Sequence, residues 1–487
     1  MAGIGFELKK LFKDQSGLGY VKAYTWTGIV TTGPFFIMVF LILGIQSLYD
    51  YFEVERFTKS LYISSVVYPF IFSHIVASGF TMLATRYISD NLYDKKSSSV
   101  LSSLFGIIAI TLTVGGLIGI AFFTWAQLDF FIELTTYIFF MEMMVVQLLN
   151  AYVSALRDYV YIVASYAYGV VFAIVGTWLV LMLDIPEYVL VATMCFMDLG
   201  IFIIAALLFR NIFLFFGREN YRDFDFLPYF STKKIVFFTN LFYTLGLYIH
   251  NLIIWCGPMG LCLADTYYYQ PPYDTSTFYA YISILPAMML FIVATETNFY
   301  DKYKRYLMFI TDKGNYKEIS DSRNDMVSTM WSEIYNIFDF QLVSTFCFLA
   351  LGNIILPKVG LAFYGVDIYN LLVLSAFAIG ILQAVIIMLF YLEDRVGAFI
   401  SSAILLVCSI VFNTACVYLG ESTYGFGAFA AAFIAMVYAI CRLHYYSKRI
   451  DYYIFCGQPV LNVPETGFFV RLHEKYFKEK VKDEDVK

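Results

Sequence analysis

Twelve apolar segments, each long enough to cross a bilayer, constrain this chain more than any other feature of its sequence. A spanning helix needs about 20 mostly apolar residues. Because the chain is 60% hydrophobic and only 14% charged, the composition excludes a water-soluble multidomain enzyme and a disordered protein. The sequence predicts an all-α polytopic membrane protein with about 12 transmembrane helices. The predicted spans are 21–48, 60–83, 100–125, 131–156, 159–183, 188–209, 235–256, 277–297, 339–356, 368–391, 397–418 and 424–443.

The distribution of Lys and Arg predicts that both termini face the cytoplasm. If the twelve segments alternate across the membrane, all but three of the 32 Lys and Arg residues lie on the side of the termini. The three exceptions are Arg56, Lys59 and Lys358. Cytoplasmic loops carry the excess of Lys and Arg, so an N-in/C-in topology is expected.

The predicted spans divide into two six-helix halves, residues 21–230 and 231–446, which we expect to surround a central cleft as in flippases. Internal duplication that the sequence does not reveal is common among transporters. Residues 1–20 are expected to form an amphipathic helix on the inner membrane surface rather than a cleavable signal peptide. Residues 298–338 are expected to form a cytosolic helical hairpin, with a solvated loop as the alternative, and residues 447–487 a cytosolic tail.

No motif in the sequence indicates an enzyme. The chain contains neither a G-x-x-x-x-G-K-[ST] phosphate-binding loop nor a G-x-S-x-G nucleophile motif. Its eight cysteines and four histidines lack the spacing of metal ligands. The sequence therefore predicts no catalytic residue, metal or cofactor. A net charge of −6 argues against nucleic acid as a partner.

Polar residues inside the predicted spans of the first half are the main candidates for a translocation pathway. Ionisable groups in the hydrocarbon cost several kcal/mol unless they are paired or wet. His74, Glu142 and Asp198 lie near the middle of spans two, four and six, and Asn150 lies two helical turns beyond Glu142. They predict a polar cavity that holds a hydrophilic solute or relays a proton. The alternative is hydrogen bonding that only fixes helix packing.

Span one adds Thr31, Thr32 and Pro34 to the candidate pathway. Proline removes a backbone donor and usually kinks a helix. These residues could line the pathway and act as a gate hinge. Close helix packing at the neighbouring small residues is the alternative.

Tyrosines in the loop predicted to face outside are candidate sugar contacts. They are Tyr267, Tyr268, Tyr269 and Tyr273. Aromatic faces with hydroxyl tips suit sugar rings, but tyrosines are equally common at the membrane interface.

Short motifs in order along the chain resemble a known family. The sequence is similar to the PelG family, the membrane transporters of Pel exopolysaccharide systems, from residue 1 to about residue 459. The motifs are MAGIGFELKKLF (1–12), GIVTTGP (28–34), TRYISD (85–90), YDTSTF (273–278), ILPA (284–287), ETNFY (296–300), LEDR (392–395) and YIFCGQ with the following proline (453–459).

The resemblance implies a bacterial inner-membrane transporter related to the multidrug/oligosaccharidyl-lipid/polysaccharide flippases. It implies a cationic, amino-sugar-rich polymer as substrate. It also implies a cytosolic glycosyltransferase and membrane accessory subunits of the Pel complex, including a cyclic-di-GMP receptor, as partners beside the membrane lipids. Acids such as Glu142 and Asp198 would attract such a polymer. Arg86, Asp90 and Glu296 are expected at the inner mouth.

Two other functions remain open from the sequence. An ion-coupled exporter of small amphipathic molecules would need a titrating acid, and Glu142 or Asp198 could serve. A membrane scaffold for the polysaccharide synthase would use the hairpin and not the intramembrane acids. A membrane-embedded acyl- or glycosyltransferase is disfavoured because no catalytic constellation faces one side.

Overall fold

The computed structural model describes most of the chain. The described residues are 17–94, 98–154, 159–183, 188–217, 222–312, 314–358, 360–456 and 467–475, with side chains throughout except at 17–27, 29–31, 98 and 159. The amphipathic helix predicted for residues 1–20 lies almost entirely outside these ranges.

The described residues form seventeen α-helices and one short β-hairpin. The helices are α1 (Gly17–Tyr51), α2 (Arg56–Tyr93), α3 (Ser98–Phe123), α4 (Phe130–Val153), α5 (Tyr159–Met182), α6 (Val189–Phe216), α7 (Leu227–Thr232), α8 (Lys234–Trp255), α9 (Pro271–Ile282), α10 (Leu285–Ala294), α11 (Tyr300–Thr311), α12 (Tyr316–Ile355), α13 (Phe363–Tyr391), α14 (Arg395–Leu419), α15 (Phe426–Ser447), α16 (Ile450–Phe455) and α17 (Phe468–His473). The strands are β1 (Leu261–Leu263) and β2 (Tyr267–Tyr269).

Twelve stretches of helix are long and apolar enough to span a membrane, which confirms the predicted all-α architecture. The eighth and ninth are the longest, Pro271–Thr311 and Tyr316–Lys358. The eighth is not one regular helix. It begins earlier than predicted, at two prolines that suit the first turn of a helix, and it breaks before Leu285, where a third proline removes a backbone donor.

The chain separates into two compact units. The first, called the N-unit here, comprises Gly33–Thr244, Cys262–Tyr268 and Asn462–Lys487. Within it α2 packs on α4, α4 packs on α6, and α5 packs on α6. The α5–α6 crossing is close because glycines face each other: a Cβ on Gly169 would lie 2.3 Å from the carbonyl oxygen of Gly200.

The second unit, called the C-unit here, comprises Met1–Thr32, Leu245–Leu261 and Tyr269–Leu461. Helix α13 is buried along most of its length and packs against α9, α12 and α15. Helix α14 packs along α15. Tyr369, Leu372 and Val373 of α13 belong to its buried core.

The end of the eighth stretch and the start of the ninth form a helical hairpin in the C-unit. Helices α11 and α12 pack against each other and are joined by a short turn. Asn315 begins α12 with a capping box, in which its side chain accepts from the Glu318 backbone and the Glu318 carboxylate accepts from the Asn315 backbone. Such reciprocal bonds satisfy donors that a helix start leaves open. The location of this hairpin in the cytosol stays a prediction.

Candidate functional site

Two carboxylates inside the N-unit form the core of the candidate site. Glu142 lies on α4 and Asp198 on the adjacent α6, close enough for the charge of Glu142 to act on Asp198. Asp198 is only 7% exposed. One oxygen of each carboxylate, Glu142 Oε2 and Asp198 Oδ1, is buried without a hydrogen-bond partner. Since buried polar atoms are nearly always paired, this pair is suited to accept a proton, a metal cation or a ligand's ammonium group.

Further polar residues lie along α4, on the C-terminal side of Glu142. Gln147 Nε2 donates to Ser73 Oγ across 3.2 Å, and Gln147 also hydrogen-bonds to His74. The structure thus places His74 against α4. One turn further along α4, Asn150 Nδ2 donates to the Tyr166 hydroxyl across 2.5 Å. The satisfied bonds of His74 and Asn150 also fit a packing role.

Helix α1 contains the residues predicted as a gate hinge. It continues through Pro34 from Gly17 to Tyr51. The Thr32 hydroxyl donates to the Gly28 carbonyl oxygen, 2.7 Å away, a bond that often bends helices slightly. Thr31 lies in the same helix, but its side chain is outside the described residues. The role of Thr31, Thr32 and Pro34 in gating stays a prediction.

The residues predicted for the inner mouth are divided between the units. In the N-unit, Arg86 Nε lies 3.2 Å from the Asp90 carboxylate, and the Tyr229 hydroxyl donates to Asp90 across 3.2 Å. Burial, with a further contribution from the Asp90 charge, raises the pKa of Tyr229 above its usual value. Glu296 lies in the C-unit, where it is buried and hydrogen-bonds to the Tyr391 hydroxyl.

The predicted outer tyrosines differ sharply in exposure. Tyr268 is 46% exposed, and Tyr269 is half-buried. Tyr267 and Tyr273 are fully buried. The ring of Tyr267 packs edge-on against Tyr68, with centroids 4.9 Å apart. The prediction that Tyr267 and Tyr273 contact sugar does not fit this burial, because neither ring presents surface to a polymer.

The burial of Tyr267 has a local cause in the β-hairpin. Ala264 and Asp265 both have positive φ, which is the conformation of a tight two-residue β-turn. The turn folds β2 back along β1, so the side chains of β2 alternate between buried and exposed. Composition alone did not reveal this alternation.

A buried polar network surrounds Tyr273 in the C-unit. His250 lies between two hydroxyls, with Nδ1 2.8 Å from Tyr273 and Nε2 2.7 Å from Tyr281. Asp274 accepts from the indole Nε1 of Trp255 across 2.7 Å and from the Gln270 backbone across 2.9 Å. The YDTSTF motif therefore supplies internal structure around α9, and Asp274 takes part in that structure although no sequence pattern indicates a role for it.

Sequence reasoning also missed two cavities of the C-unit. One, of about 520 Å³, is lined by Asn298, Glu333 and Asn336 among others. The other, of about 610 Å³, has Asp367 and Glu421 beside Tyr364. Only the ETNFY motif, which contains Asn298, could have pointed to the first. Among the described residues, no group of three or more His, Cys, Asp and Glu side chains is placed to hold a metal ion.

Comparison with known families now identifies the kind of protein. The sequence model of the family PelG, described as "Putative exopolysaccharide Exporter (EPS-E)", matches residues 1–455. The chain belongs to the PelG family. Family and fold point to a transporter rather than an enzyme. No curated protein sequence matches this PelG-family chain significantly.

Solved structures similar to this PelG-family chain are transporters of the MOP superfamily. A MOP superfamily transporter from Pyrococcus furiosus, whose binding pocket is described as having reverse polarity, is 13% identical, with a TM-score of 0.55 over 88% of this chain and 96% of that one. An outward-facing multidrug resistance transporter of the MATE family is 12% identical, with a TM-score of 0.54 over 87% of this chain and 96% of that one. At such identities the likeness establishes the fold alone: a multi-pass membrane protein of MOP type.

Proposed function

We propose that this chain exports an amino-sugar-rich exopolysaccharide across the bacterial cytoplasmic membrane, in partnership with a cytosolic glycosyltransferase. Membership of an exopolysaccharide exporter family supports the polymer as cargo. The MOP-type fold supports translocation rather than catalysis. The polymer would be made on the cytosolic side and enter at the end of the molecule that contains Arg86 and Asp90.

The observation that carries the proposal is the pair of carboxylates with unpartnered buried oxygens, Glu142 and Asp198. In a low-dielectric interior a carboxylate attracts a cation more strongly than in water, and burying a charge without a partner is costly. A passing protonated amino sugar would supply that partner and leave again. Two neighbouring acids would hold successive amino groups weakly enough for the chain to move on.

The remaining predicted residues take supporting parts in this proposal. His74 and Asn150 would line the same polar interior, and the segment from Thr31 to Pro34 would allow α1 to bend. Tyr268 and Tyr269 are retained as sugar contacts on the outer side, because they keep exposed surface. The hairpin of α11 and α12 would dock the glycosyltransferase, and it exposes Met308 and Tyr335 to such a partner.

Complementation of a deletion strain tests the proposed pathway. We expect that Glu142→Gln/Asp198→Asn lowers secreted amino-sugar polymer at least several-fold relative to the wild type, because the two amides keep the size of the acids but lose their charge. The measurement is the ratio of secreted to cell-retained polymer at equal membrane levels of each variant.

The matched control removes two acids that are exposed. Glu55 and Asp129 precede α2 and α4 and make no side-chain capping bond, so Glu55→Gln/Asp129→Asn should secrete normally. Full secretion by the Glu142/Asp198 variant would exclude these two acids from the pathway. Unchanged secretion after deletion of the gene would overturn the export proposal itself.

The second candidate function is ion-coupled export of small amphipathic molecules. The same acid pair favours it, because a carboxylate that binds and releases a proton could couple export to a gradient. It predicts that the double amide abolishes efflux of a cationic dye while polymer secretion is unaffected. A scaffold for the synthase is the third possibility, and it predicts that secretion depends on the hairpin but not on either acid.

A further inference from the structure

A cavity of about 520 Å³ in the C-unit lies where the apolar helix α10 gives way to polar sequence. Its polar lining consists of Thr297, Asn298, Glu333 and Asn336, and Phe291 and Phe340 are among its apolar walls. The volume falls in the range of about 300–1,000 Å³ that small-molecule sites occupy. The cavity is independent of the carboxylate pair on α4 and α6, which belongs to the other unit.

Glu333 is the charged group of this cavity. It is 7% exposed, and each of its oxygens accepts from a neutral amide: Oε1 from Asn298 across 2.8 Å and Oε2 from Asn336 across 3.2 Å. The lining residues include no lysine, arginine or histidine. Amide donors orient a carboxylate but leave its charge uncompensated, so the electrostatic balance of the cavity favours a cation.

One of the two amides, Asn298, lies in an unusual turn of helix. Residues Thr295–Phe299 form a π-helical turn between α10 and α11, a feature that occurs frequently at functional sites. The Thr297 hydroxyl lies 2.8 Å from the Val293 carbonyl oxygen and 3.3 Å from Asn298 Oδ1. The amide nitrogen of Asn298 faces the other way and donates to Glu333 Oε1.

We propose that this cavity binds the primary ammonium group of a ligand, with Glu333 as its counter-ion. An ammonium group has three donors for carboxylate and amide oxygens, and the phenylalanine walls suit both a cation and the apolar face of a sugar ring. Two ligands carry this group: an amino sugar of the polymer and an aminophospholipid headgroup. The amino sugar is the source that fits the proposed function, and in that form the inference rests on it.

Binding to the purified full-length chain tests the site. In nanodiscs of phosphatidylcholine and phosphatidylglycerol, a β-linked glucosamine oligosaccharide should bind at least tenfold more tightly than its N-acetylated counterpart, as judged by calorimetry. The N-acetylated sugar has the same rings but no ammonium group. Glu333→Gln should abolish this preference, since a charge-assisted hydrogen bond is lost. Asp321→Asn, which removes an exposed acid of the same helix, should keep it.

A second variant keeps the test informative if Glu333→Gln does not fold. Asn336 is exposed, so Asn336→Lys should fold, and its own ammonium group should occupy Glu333 and abolish oligosaccharide binding. A second arm replaces phosphatidylcholine by phosphatidylethanolamine, which carries the primary ammonium group. Thermal stabilisation by this lipid, absent in both Glu333→Gln and Asn336→Lys, with no oligosaccharide binding, would assign the cavity to the lipid.

The ammonium site is overturned if neither ligand distinguishes Glu333→Gln and Asn336→Lys from Asp321→Asn. That result would leave the export proposal intact, because polymer secretion by the deletion strain is a separate measurement. Conversely, the chain could be found to bind the lipid through Glu333 without exporting polymer. That result would support the ammonium site and overturn the export proposal.

Discussion

Two glycines, Gly169 and Gly200, face each other at a close helix contact of the N-unit. The Cβ of an alanine at Gly169 would lie 2.3 Å from the Gly200 carbonyl oxygen, and one at Gly200 would lie 2.6 Å from the Gly169 carbonyl oxygen. Because backbone atoms cannot move aside as a side chain end can, we expect Gly169→Ala to destabilise the chain by about 1–3 kcal/mol, the range for overpacked cores.

Thermal unfolding in detergent measures this effect. Gly380→Ala is the matched control, since a Cβ there meets its nearest atom at an ordinary 3.4 Å. Equal unfolding midpoints for Gly169→Ala and Gly380→Ala would contradict the close α5–α6 crossing.

An ion pair between the buried Asp394 and the partly exposed Arg442 stabilises the start of α14. Arg442 donates from Nε to Asp394 Oδ2 across 2.6 Å and from a terminal nitrogen to Oδ1 across 2.9 Å, and Asp394 also caps the helix at Gly397. Asp394→Asn should cost about 2–3 kcal/mol. This is less than the 3–5 kcal/mol for breaking a fully buried pair, because the Arg442 side chain is 26% exposed.

The neighbouring pair of Glu393 and Arg395 supplies the control for the ion pair. Both side chains are partly exposed, so Glu393→Gln should change the free energy of unfolding by less than about 1 kcal/mol. Chemical unfolding of the two variants in parallel gives the comparison. A loss as large in Glu393→Gln as in Asp394→Asn would show that the buried pair has no special weight.

The sequence predicted some residues of the candidate site but not their neighbours. Glu142 and Asp198 were identifiable because a charge within an apolar segment is conspicuous. The proximity of the two side chains was not predictable from the sequence, since it depends on how α4 packs against α6. Glu333 was not predicted as a binding residue, because it lies in a polar stretch of the sequence where acidic residues are common. The burial of Tyr267 and Tyr273 was missed because loop tyrosines are usually read as exposed.

At the scale of elements, the capping box predicts how the α11–α12 hairpin is held. Asn315→Ala removes the acceptor for the Glu318 backbone N–H, and loss of such a cap costs about 1 kcal/mol. We expect faster amide hydrogen exchange over the first turn of α12, residues 316–320. Ser328→Ala, in the middle of the same helix and bonded to its own turn, should leave this exchange unchanged.

Exchange that is equally slow in Asn315→Ala and in the wild-type chain would contradict the cap. The existence of the hairpin's helices was predictable from periodicity. Its continuity with the eighth span through a π-helical turn was not, because no sequence period signals such a turn. The break before Leu285 was hidden for a similar reason, although Pro286 gave a local hint.

At the scale of the whole molecule, the twelve spans followed from hydropathy alone, because the bilayer imposes a fixed apolar length on every crossing. The likeness to MOP transporters could not be read from any aligned residues, at 12–13% identity. The motifs identified the family, the family resemblance implied a flippase-like fold, and the structure confirms that fold. The N-in/C-in topology stays a prediction from the distribution of Lys and Arg.

Translocation itself is the central claim, and protection of newly made polymer measures it most directly. Inside-out membrane vesicles containing the chain would receive the cytosolic glycosyltransferase and its nucleotide-sugar substrate, followed by a polymer-degrading hydrolase outside. We predict that a fraction of the polymer survives inside the vesicles, that this fraction vanishes without the chain, and that it falls in Glu142→Gln/Asp198→Asn but not in Glu55→Gln/Asp129→Asn. Polymer that is made normally yet is fully degraded in the presence of the wild-type chain would contradict the account.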